Sequence, residues 1–207
     1  MKGRIVKIKS ISGKFHNIFR FTRRTAEVKL PNGSTHRFDR HVLETGPAVS
    51  VLPYFFDNES QDWHVVLVEQ YRPAVDAICL EAPGGLLEKR KKPQHEMARE
   101  LFEEAGIEVR PQDIRVVDVQ HLANSFCDQI VHLGIVDLKI KNKADLLNKI
   151  KRHNGVVSEK EFTEVKVLPL SEILKKKNLI TYTLAKHQIH TLAEQLGYFS
   201  EKKATQT

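Results

Sequence analysis

The sequence predicts an α+β fold, with a main domain of strands and helices and a small N-terminal β-sheet. Short runs rich in Val, Ile and aromatic residues are typical of strands, and other segments place apolar residues at the spacing of helices. A turn signal between two alternating segments near the N-terminus indicates a hairpin. With 207 residues, the chain is long enough to bury the core of one substantial domain with a smaller unit attached.

The elements follow in order along the chain. Residues 5–11 alternate as in a strand, and Pro31-Asn32-Gly33 predicts the hairpin because Asn and Gly tolerate positive φ. We expect an N-terminal β subdomain over residues 1–46, a main domain over residues 47–200 and a frayed tail over residues 201–207. The main domain is predicted to contain strands at 49–56, 63–70, 78–82, 114–120, 130–140 and 163–168, and helices at about 93–105, 171–177 and 181–196.

The segment from Gly84 to Ile107 is the most informative part of the chain. It begins with a double glycine, continues through a polar loop and ends in a helix whose apolar residues recur at helical spacing. Pro93 suits the first turn of this helix, and Gly106 suits its C-terminal cap. The segment therefore predicts a helix that follows directly on a glycine turn and its loop.

Three carboxylates share one face of this helix, because Glu103 and Glu104 follow Glu100 by three and four residues. Like charges at this spacing repel each other, and a divalent cation between their oxygens would reverse the repulsion. Mg2+ prefers oxygen ligands and usually binds through one or two carboxylates and substrate phosphates, so the pattern indicates phosphate chemistry. The alternative interpretation is a solvated acidic helix face.

Counted from Gly85, the segment resembles the Nudix box: Gly, five residues, Glu, seven residues, and then Arg-Glu-apolar-x-Glu-Glu-x-Gly-apolar. One position departs, because Lys91 stands where the motif has its first Glu. Lys91 lies in the loop, so we expect it to tune local structure more than to abolish metal binding. The resemblance implies an α/β fold, the α/β/α sandwich of the Nudix family with a mixed sheet. The positions in register are Arg99, Glu100, Leu101, Glu103, Glu104, Gly106 and Ile107.

The resemblance also implies a metal site on this helix. Glu100 and Glu104 are expected to hold Mg2+, with Mn2+ as a possible substitute, and the carbonyl of Gly84 is expected to assist them. Glu103 is expected to add a ligand or to orient the attacking water. Arg99 is expected to stabilise the motif through an ion pair.

Upstream, VVLVEQYRPAV followed by LEAPGGLLE is similar to the Nudix subgroup that hydrolyses ADP-ribose and other nucleoside diphosphate sugars. In this subgroup the residue that matches Arg72 contacts substrate phosphate, a role that suits a planar guanidinium. Glu81 matches a Glu that lies near the metal site. Without the resemblance, Arg72 would be a surface charge at a strand end, and Glu81 would be the polar end of a buried strand.

Downstream, residues 157–168 resemble the mobile loop that carries a catalytic Glu in the ADP-ribose enzymes and then enters a strand. Glu159 is the first candidate for the catalytic base, and Glu161 is the second. The alternative is a solvated charged loop, because Lys and Arg residues surround both glutamates.

The implied reaction is the attack of water on a substrate pyrophosphate, which releases a nucleoside monophosphate and a phosphorylated sugar. Residues 122–127 lack the Pro and Gly of a turn that the ADP-ribose members usually carry, so ADP-ribose is one candidate among several nucleoside diphosphate derivatives. Two alternatives stay open. One is another pyrophosphate, such as a dinucleoside polyphosphate or capped RNA. The other is a weakly active nucleotide-binding module, which Lys91 and the altered turn make conceivable.

Composition bears on the expected partners and location. The net charge of +7 is spread along the chain, which suits the steering of pyrophosphate substrates more than nucleic-acid binding. No apolar run approaches the ~18 residues of a membrane span, and no leader is recognisable, so no membrane partner is expected. Cys79 and Cys127 lack metal or redox spacing, which predicts free thiols in a reducing compartment and a cytoplasmic location. The resemblance implies a homodimer formed through the N-terminal sheet.

Overall fold

The computed structural model describes residues 1–13, 19–151, 153–155, 162–176 and 178–199. The chain forms two compact units. The first contains Met1–Ala48 and Val119–Val131, and the second contains Val49–Asp118 and the described residues from His132 onward. The tail expected at residues 201–207 lies outside the described residues, as do Glu159 and Glu161.

The first unit is built on a three-stranded antiparallel sheet in the order β1-β2-β3, which confirms the predicted N-terminal sheet. β1 is Lys2–Ser10, β2 is Arg20–Lys29 and β3 is Thr35–Glu44. The turn between β2 and β3 contains Gly33 at a φ of 86°, a backbone conformation that favours glycine. The hairpin that Pro31-Asn32-Gly33 predicts is therefore present.

The second unit is built around an eight-stranded sheet in the order β10-β11-β5-β4-β9-β8, with β6 paired to β5 and β7 paired to β4. The helices are α1 at Pro93–Ala105, α2 at Lys143–Leu147, α3 at Leu170–Lys175 and α4 at Thr183–Gln195. A short 3-10 turn occupies Pro111–Asp113. The strands are β4 at Ala48–Asp57, β5 at Asp62–Arg72, β6 at Ala77–Glu81, β7 at Gly84–Leu86, β8 at Arg115–His121, β9 at Ile130–Asp137, β10 at His153–Asn154 and β11 at Thr163–Pro169.

The central strand β5 shows how the helices cover both faces of this sheet. Successive side chains of a strand point to opposite faces. Val66 and Val68 pack into a cluster with Met97 and Leu101 of α1, whereas Val65 and Leu67 pack into a second cluster with residues of α3 and α4. Helices therefore lie on both faces of the sheet, which confirms the predicted α/β/α sandwich.

Helix α1 has the predicted bounds, and its sequence explains both ends. Pro93 is the first helical residue, where its missing N–H would have no helical partner. Gly106 adopts a left-handed conformation with a φ of 67°, and its N–H donates to the carbonyl of Phe102 at 2.9 Å. Met97 and Leu101 are fully buried, so the apolar face fixes the rotation of the helix.

Some boundaries differ from the sequence prediction. β9 ends at Asp137 and not at residue 140, because Asp137 accepts a hydrogen bond from the backbone N–H of Lys139, a residue with a φ of 54°. α4 begins at Thr183, after Tyr182 in an extended conformation, and not near residue 181. The sequence prediction missed four short elements, because they contain too few residues to show a period: β7, α2, β10 and the 3-10 turn.

The cysteines and the helices bear on two further expectations. Cys79 and Cys127 are buried, and neither forms a disulfide, which confirms the prediction of free thiols. Within the described part of the chain, no helix is both long enough and apolar enough to span a membrane.

Asp57 at the end of β4 gives a test of the fold by pH. Its buried carboxylate accepts from the hydroxyl of Ser60 at 2.5 Å and from the backbone N–H of Lys143, the first residue of α2, at 2.9 Å. The Ser60 hydrogen bond is the largest cause of a pKa below the ordinary 3.8. The carboxylate therefore stabilises the fold above the pKa of the unfolded chain, and this stabilisation is lost as the pH falls through the lower, folded pKa.

We predict that Asp57→Asn lowers the free energy of unfolding by about 1–3 kcal/mol at pH 7, because the amide loses the charge and keeps only one of the two oxygens that accept hydrogen bonds. The difference from the unchanged protein should shrink as the pH falls below about 4, which urea unfolding at several pH values measures. The matched control is Glu59→Gln at an exposed neighbouring position. A difference that stays constant down to pH 3 would contradict the assignment.

Candidate active site

The two glycines before the loop bring the backbone against α1. A Cβ on Gly84 would lie 2.3 Å from the carbonyl oxygen of Val49, and a Cβ on Gly85 would lie 2.2 Å from the carboxylate oxygen Oε1 of Glu100. The N–H of Gly84 donates to Oε2 of Glu104 at 3.0 Å. The backbone of β4 requires glycine at position 84, while the carboxylate of Glu100 lies against Gly85, so the turn and the carboxylates of α1 form one site.

The acidic face of α1 is largely buried. Glu100 is 5 % exposed and Glu104 is 3 % exposed, whereas Glu103 is only partly buried. A third residue of the same helix, Glu96, is 1 % exposed. Burying a carboxylate is costly unless it is paired, so a solvated acidic face does not describe this helix. Its carboxylates need cations or hydrogen-bond donors nearby.

Arg99 supplies much of the positive charge. Its Nη1 donates to Glu103 at 2.5 Å, its Nη2 donates to Glu100, and Nη2 lies 3.5 Å from Oε2 of Glu96. Burial works to lower the pKa of the guanidinium, but the hydrogen bond to Glu103 and the charges of Glu100, Glu103 and Glu96 raise it well above the usual range. The ion pair predicted for Arg99 is present.

Lys91, the residue that departs from the motif, also contacts this network. Its ammonium lies 3.3 Å from Oε1 of Glu96 and 3.0 Å from Glu88. The buried carboxylate of Glu96 therefore has a cation near each of its two oxygens: Lys91 at one and Arg99 at the other. Sequence reasoning missed Glu96, although its position three residues before Arg99 was a usable signal.

The carboxylates of α1 suit a hard divalent cation. In the part of the chain that the structure describes, no three His, Cys, Asp or Glu side chains converge on one point as metal ligands. Arg99 engages Glu100 and Glu103, and Glu104 accepts from Gly84, whose observed contact is through its N–H and not its carbonyl. The carboxylates of Glu100 and Glu104 are nevertheless buried on one face of α1, and carboxylate oxygens are the ligand type that Mg2+ and Mn2+ prefer.

A second charged pair joins the end of β5 to β6. Arg72 binds Glu81 through two parallel hydrogen bonds, Nε to Oε1 and Nη2 to Oε2, each 2.9 Å long. Glu81 is buried, while the Arg72 side chain is 42 % exposed. The hydrogen bond to Glu81 is the largest cause that raises the pKa of Arg72, and the charge of Glu104 also contributes, which indicates that α1 is near. Arg72 is therefore a partly exposed charge at a strand end, as the alternative interpretation has it, and it is also held by a buried carboxylate.

Tyr182, the residue before α4, packs against the apolar cluster that contains Leu80 and Ala82, the two neighbours of Glu81. Burial, followed by the charge of Glu81, raises the pKa of its hydroxyl above 10, and the charge of Arg72 opposes this effect. Sequence reasoning missed Tyr182, because no local pattern connects it with a pair more than a hundred residues upstream.

The two candidate bases, Glu159 and Glu161, cannot be placed, because both lie outside the described residues. The described residues on either side of them are attached to the C-terminal turn of α1. The N–H of Gly155 donates to the carbonyl of Glu103 at 3.0 Å, and the hydroxyl of Thr163 donates to the carbonyl of Glu104 at 2.7 Å. The chain thus leaves and rejoins the described structure beside the carboxylates.

Comparisons with known proteins agree with this geometry. Residues 44–187 match the family described as the NUDIX domain. The chain is 28 % identical over 175 residues to an ADP-ribose pyrophosphatase of Bacillus subtilis (strain 168), a match that covers 83 % of this chain and 80 % of the relative. It is 32 % identical over 149 residues to a methanol dehydrogenase activator of Bacillus methanolicus, covering 72 % of this chain and 71 % of the relative.

A third relative is an ADP-sugar pyrophosphatase of Mus musculus, which is 28 % identical over 151 residues, or 70 % of this chain and 66 % of the relative. The family match covers the glycine turn, α1 and the Arg72–Glu81 pair. The resemblance seen in the sequence is thereby confirmed, and the chain belongs to the Nudix family.

Proposed function

We propose that this protein is a Mg2+-dependent pyrophosphohydrolase that cleaves the diphosphate bond of ADP-ribose or a related nucleoside diphosphate sugar. The products are a nucleoside monophosphate and a sugar phosphate. The observation that carries the proposal is the burial of Glu100 and Glu104 against the Gly84-Gly85 turn. Family membership and the two relatives named as pyrophosphatases support the coarser statement that the chain is a hydrolase of phosphorus-containing anhydrides.

Glu100 and Glu104 are the residues that would hold the metal, and the carbonyl of Gly84 would assist them. Glu103, which is more exposed, would add a ligand or orient the attacking water. A bound Mg2+, or Mn2+ in its place, neutralises charge on the phosphate oxygens and lowers the pKa of bound water. Without the metal, Arg99 holds Glu100 and Glu103 of α1 through its ion pairs.

Arg72 would grip a phosphate of the substrate. The buried carboxylate of Glu81 holds the guanidinium from one side with two hydrogen bonds, which fixes the plane of the fork. The exposed part of the side chain would then meet an anion in a preorganised orientation. Glu81 acts here by holding Arg72 near the metal site.

A carboxylate between Gly155 and Thr163 would act as the base that takes a proton from the attacking water. Glu159 remains the first candidate and Glu161 the second. The attachment of both flanking residues to the C-terminal turn of α1 supports this assignment. General base catalysis typically contributes about a hundredfold to ten-thousandfold in rate, so replacement of the base by Gln should lower kcat on that scale.

We predict that Glu104→Gln lowers Mg2+-dependent turnover of ADP-ribose by at least about a hundredfold, the scale seen when one charged group at a reacting centre is lost. The amide oxygen can still accept from the N–H of Gly84, so the melting temperature should change little. Release of AMP measures the turnover, and Glu108→Gln at an exposed position is the matched control. Unchanged turnover in Glu104→Gln would refute the metal site.

The substrate is tested with a panel that contains ADP-ribose, other nucleoside diphosphate sugars, a dinucleoside polyphosphate and capped RNA, each with Mg2+ and with Mn2+. The proposal expects the highest kcat/KM for a nucleoside diphosphate sugar. Faster cleavage of the polyphosphate or of capped RNA would assign another pyrophosphate as the substrate. Tight nucleotide binding without any turnover would identify a binding module.

We predict that Arg72→Lys raises KM for ADP-ribose about tenfold and changes kcat less, because a point charge replaces a bidentate fork at a group that binds the substrate. Steady-state kinetics measure both constants. Arg110→Lys is the matched control, since Arg110 also forms a bidentate pair, with Asp113, but at an exposed site. An unchanged KM for Arg72→Lys would remove Arg72 from the binding site.

We also propose a homodimer formed through the N-terminal sheet. Ile5, Ala26 and Phe38 are neighbours across β1, β2 and β3, and Ile5 and Phe38 are 52 % and 39 % exposed. Exposed apolar side chains in one row are typical of a protein–protein contact. Sedimentation should give the mass of two chains, and Ile5→Lys should shift it toward one. A single-chain mass for the unchanged protein would reject the dimer.

We propose a cytoplasmic location, which the two free cysteines support. Cell fractionation tests it, and recovery in an oxidising compartment would count against it.

A further inference from the structure

Two buried polar atoms of neighbouring α1 residues, one on Glu96 and one on Arg99, lack hydrogen-bond partners. Among the residues that the structure describes, only three buried side-chain atoms are in this state: Nε of Arg24, Nε of Arg99 and Oε2 of Glu96. Two of the three therefore belong to one pair of residues, Glu96 and Arg99, on the same side of α1. Buried unpaired donors and acceptors are rare and costly, so a donor and an acceptor left unpaired side by side require an explanation.

The proposed function creates a conflict at Arg99. This arginine donates to Glu100 and Glu103, two of the carboxylates that are proposed to face the metal. A guanidinium and a divalent cation compete for the same oxygens, and their positive charges repel each other at this range. Arg99 must therefore release at least one of these carboxylates when the metal binds.

We propose that Glu96 is the alternative acceptor for Arg99, which takes the guanidinium when Glu100 and Glu103 turn to the metal. This inference rests on the proposed function, because it needs a metal on α1. Glu96 thus acts as a positioning residue: it touches neither the substrate nor the metal. Without the metal, Arg99 is the counter-ion of Glu100 and Glu103. With the metal bound, Arg99 pairs with Glu96.

The geometry favours this exchange. Nη2 of Arg99 already lies 3.5 Å from Oε2 of Glu96, slightly beyond hydrogen-bond distance, and the residues stand three apart on one helix. Nε of Arg99 is the unpaired donor beside Nη2, and these two atoms form one edge of the guanidinium fork. A small rotation would present this edge to Glu96 and would satisfy both unpaired atoms at once.

Lys91 has a defined place in this exchange. Its ammonium lies beside Oε1 of Glu96, the oxygen that does not face Arg99. It therefore compensates part of the charge of a buried carboxylate and leaves Oε2 directed at Arg99. A glutamate at position 91, as in the usual motif, would instead place a second anion beside Glu96. The lysine at position 91 thus provides the positive charge that the buried carboxylate of Glu96 needs.

The experiment measures Mn2+ binding to the full chain by electron paramagnetic resonance, in a double-mutant cycle of Glu96→Gln and Arg99→Met. We expect Glu96→Gln alone to weaken Mn2+ binding about tenfold, because the displaced guanidinium loses its charged acceptor. In the Arg99→Met background, Glu96→Gln should change the affinity less than about threefold. The matched control is Glu88→Gln, which also contacts Lys91 but not Arg99, and it should leave the affinity within about twofold.

A loss of the same size in both backgrounds would overturn the inference, because Glu96 would then act by its charge alone. An unchanged affinity in Glu96→Gln would overturn it as well. Either result leaves the proposed function standing as long as the unchanged protein binds Mn2+. If the unchanged protein binds no Mn2+, the proposed function fails and this inference fails with it.

A second measurement covers the case in which Arg99→Met does not fold. The Nε–H resonance of Arg99, assigned by nitrogen-15 labelling, is followed in the unchanged protein as Mg2+ is added. Transfer to Glu96 gives this N–H a hydrogen bond, so its resonance should move downfield and its exchange with water should slow. The same titration of Glu96→Gln should show a clearly smaller change. An Nε–H that does not respond to saturating Mg2+ would overturn the inference.

Discussion

The constraint on which the site depends is the contact between a glycine turn and the buried carboxylates of α1. The backbone of Val49 and Ser50 leaves no room for a Cβ at Gly84, the carboxylate of Glu100 fills the space beside Gly85, and Glu104 accepts from the N–H of Gly84. Carboxylates in such a place are unfavourable unless positive charge comes close. The ion pairs of Arg99 and the proposed metal both follow from this one requirement. A metal ion that stabilises these carboxylates would also be the group that activates water and phosphate in the proposed reaction.

The packing of α1 on the sheet fixes the position of its carboxylates relative to the glycine turn. Met97 and Leu101 of α1 are completely buried against side chains of β5, so the helix cannot rotate about its axis without opening the core. The carboxylates of α1 are therefore held in a fixed orientation beside the turn. Arg72 stands at the end of that same strand β5, and Glu81 at the end of its neighbour β6. Arg72 and the carboxylates of α1, which we propose as the phosphate-binding and metal-binding groups, are thus both held by this core.

The sequence predicted those features that depend on local pattern. The bounds of α1 follow from Pro93, Gly106 and a clear helical period, and the first hairpin follows from Asn32 and Gly33. Features that depend on distant neighbours were not predictable. The spacing of Glu96 shows that it can reach Arg99, but only the packed structure shows that it is buried and has Lys91 on its other side. Tyr182 packs against the cluster of Leu80 and Ala82, the neighbours of Glu81, across the fold, and β7 is too short to have a period.

Lys91, which replaces the first Glu of the Nudix box, shows that a motif should be judged by the charges around each position as well as by residue identity. Taken alone, a lysine in place of a glutamate adds positive charge near a proposed cation site and argues for a weakened module. In the structure its ammonium instead faces a buried glutamate on the helix, so each of the two residues compensates the other. Glu96 therefore balances the positive charge of Lys91, and Glu100 and Glu104 beside the glycine turn keep their negative charge. This balance favours a hydrolase over a binding module.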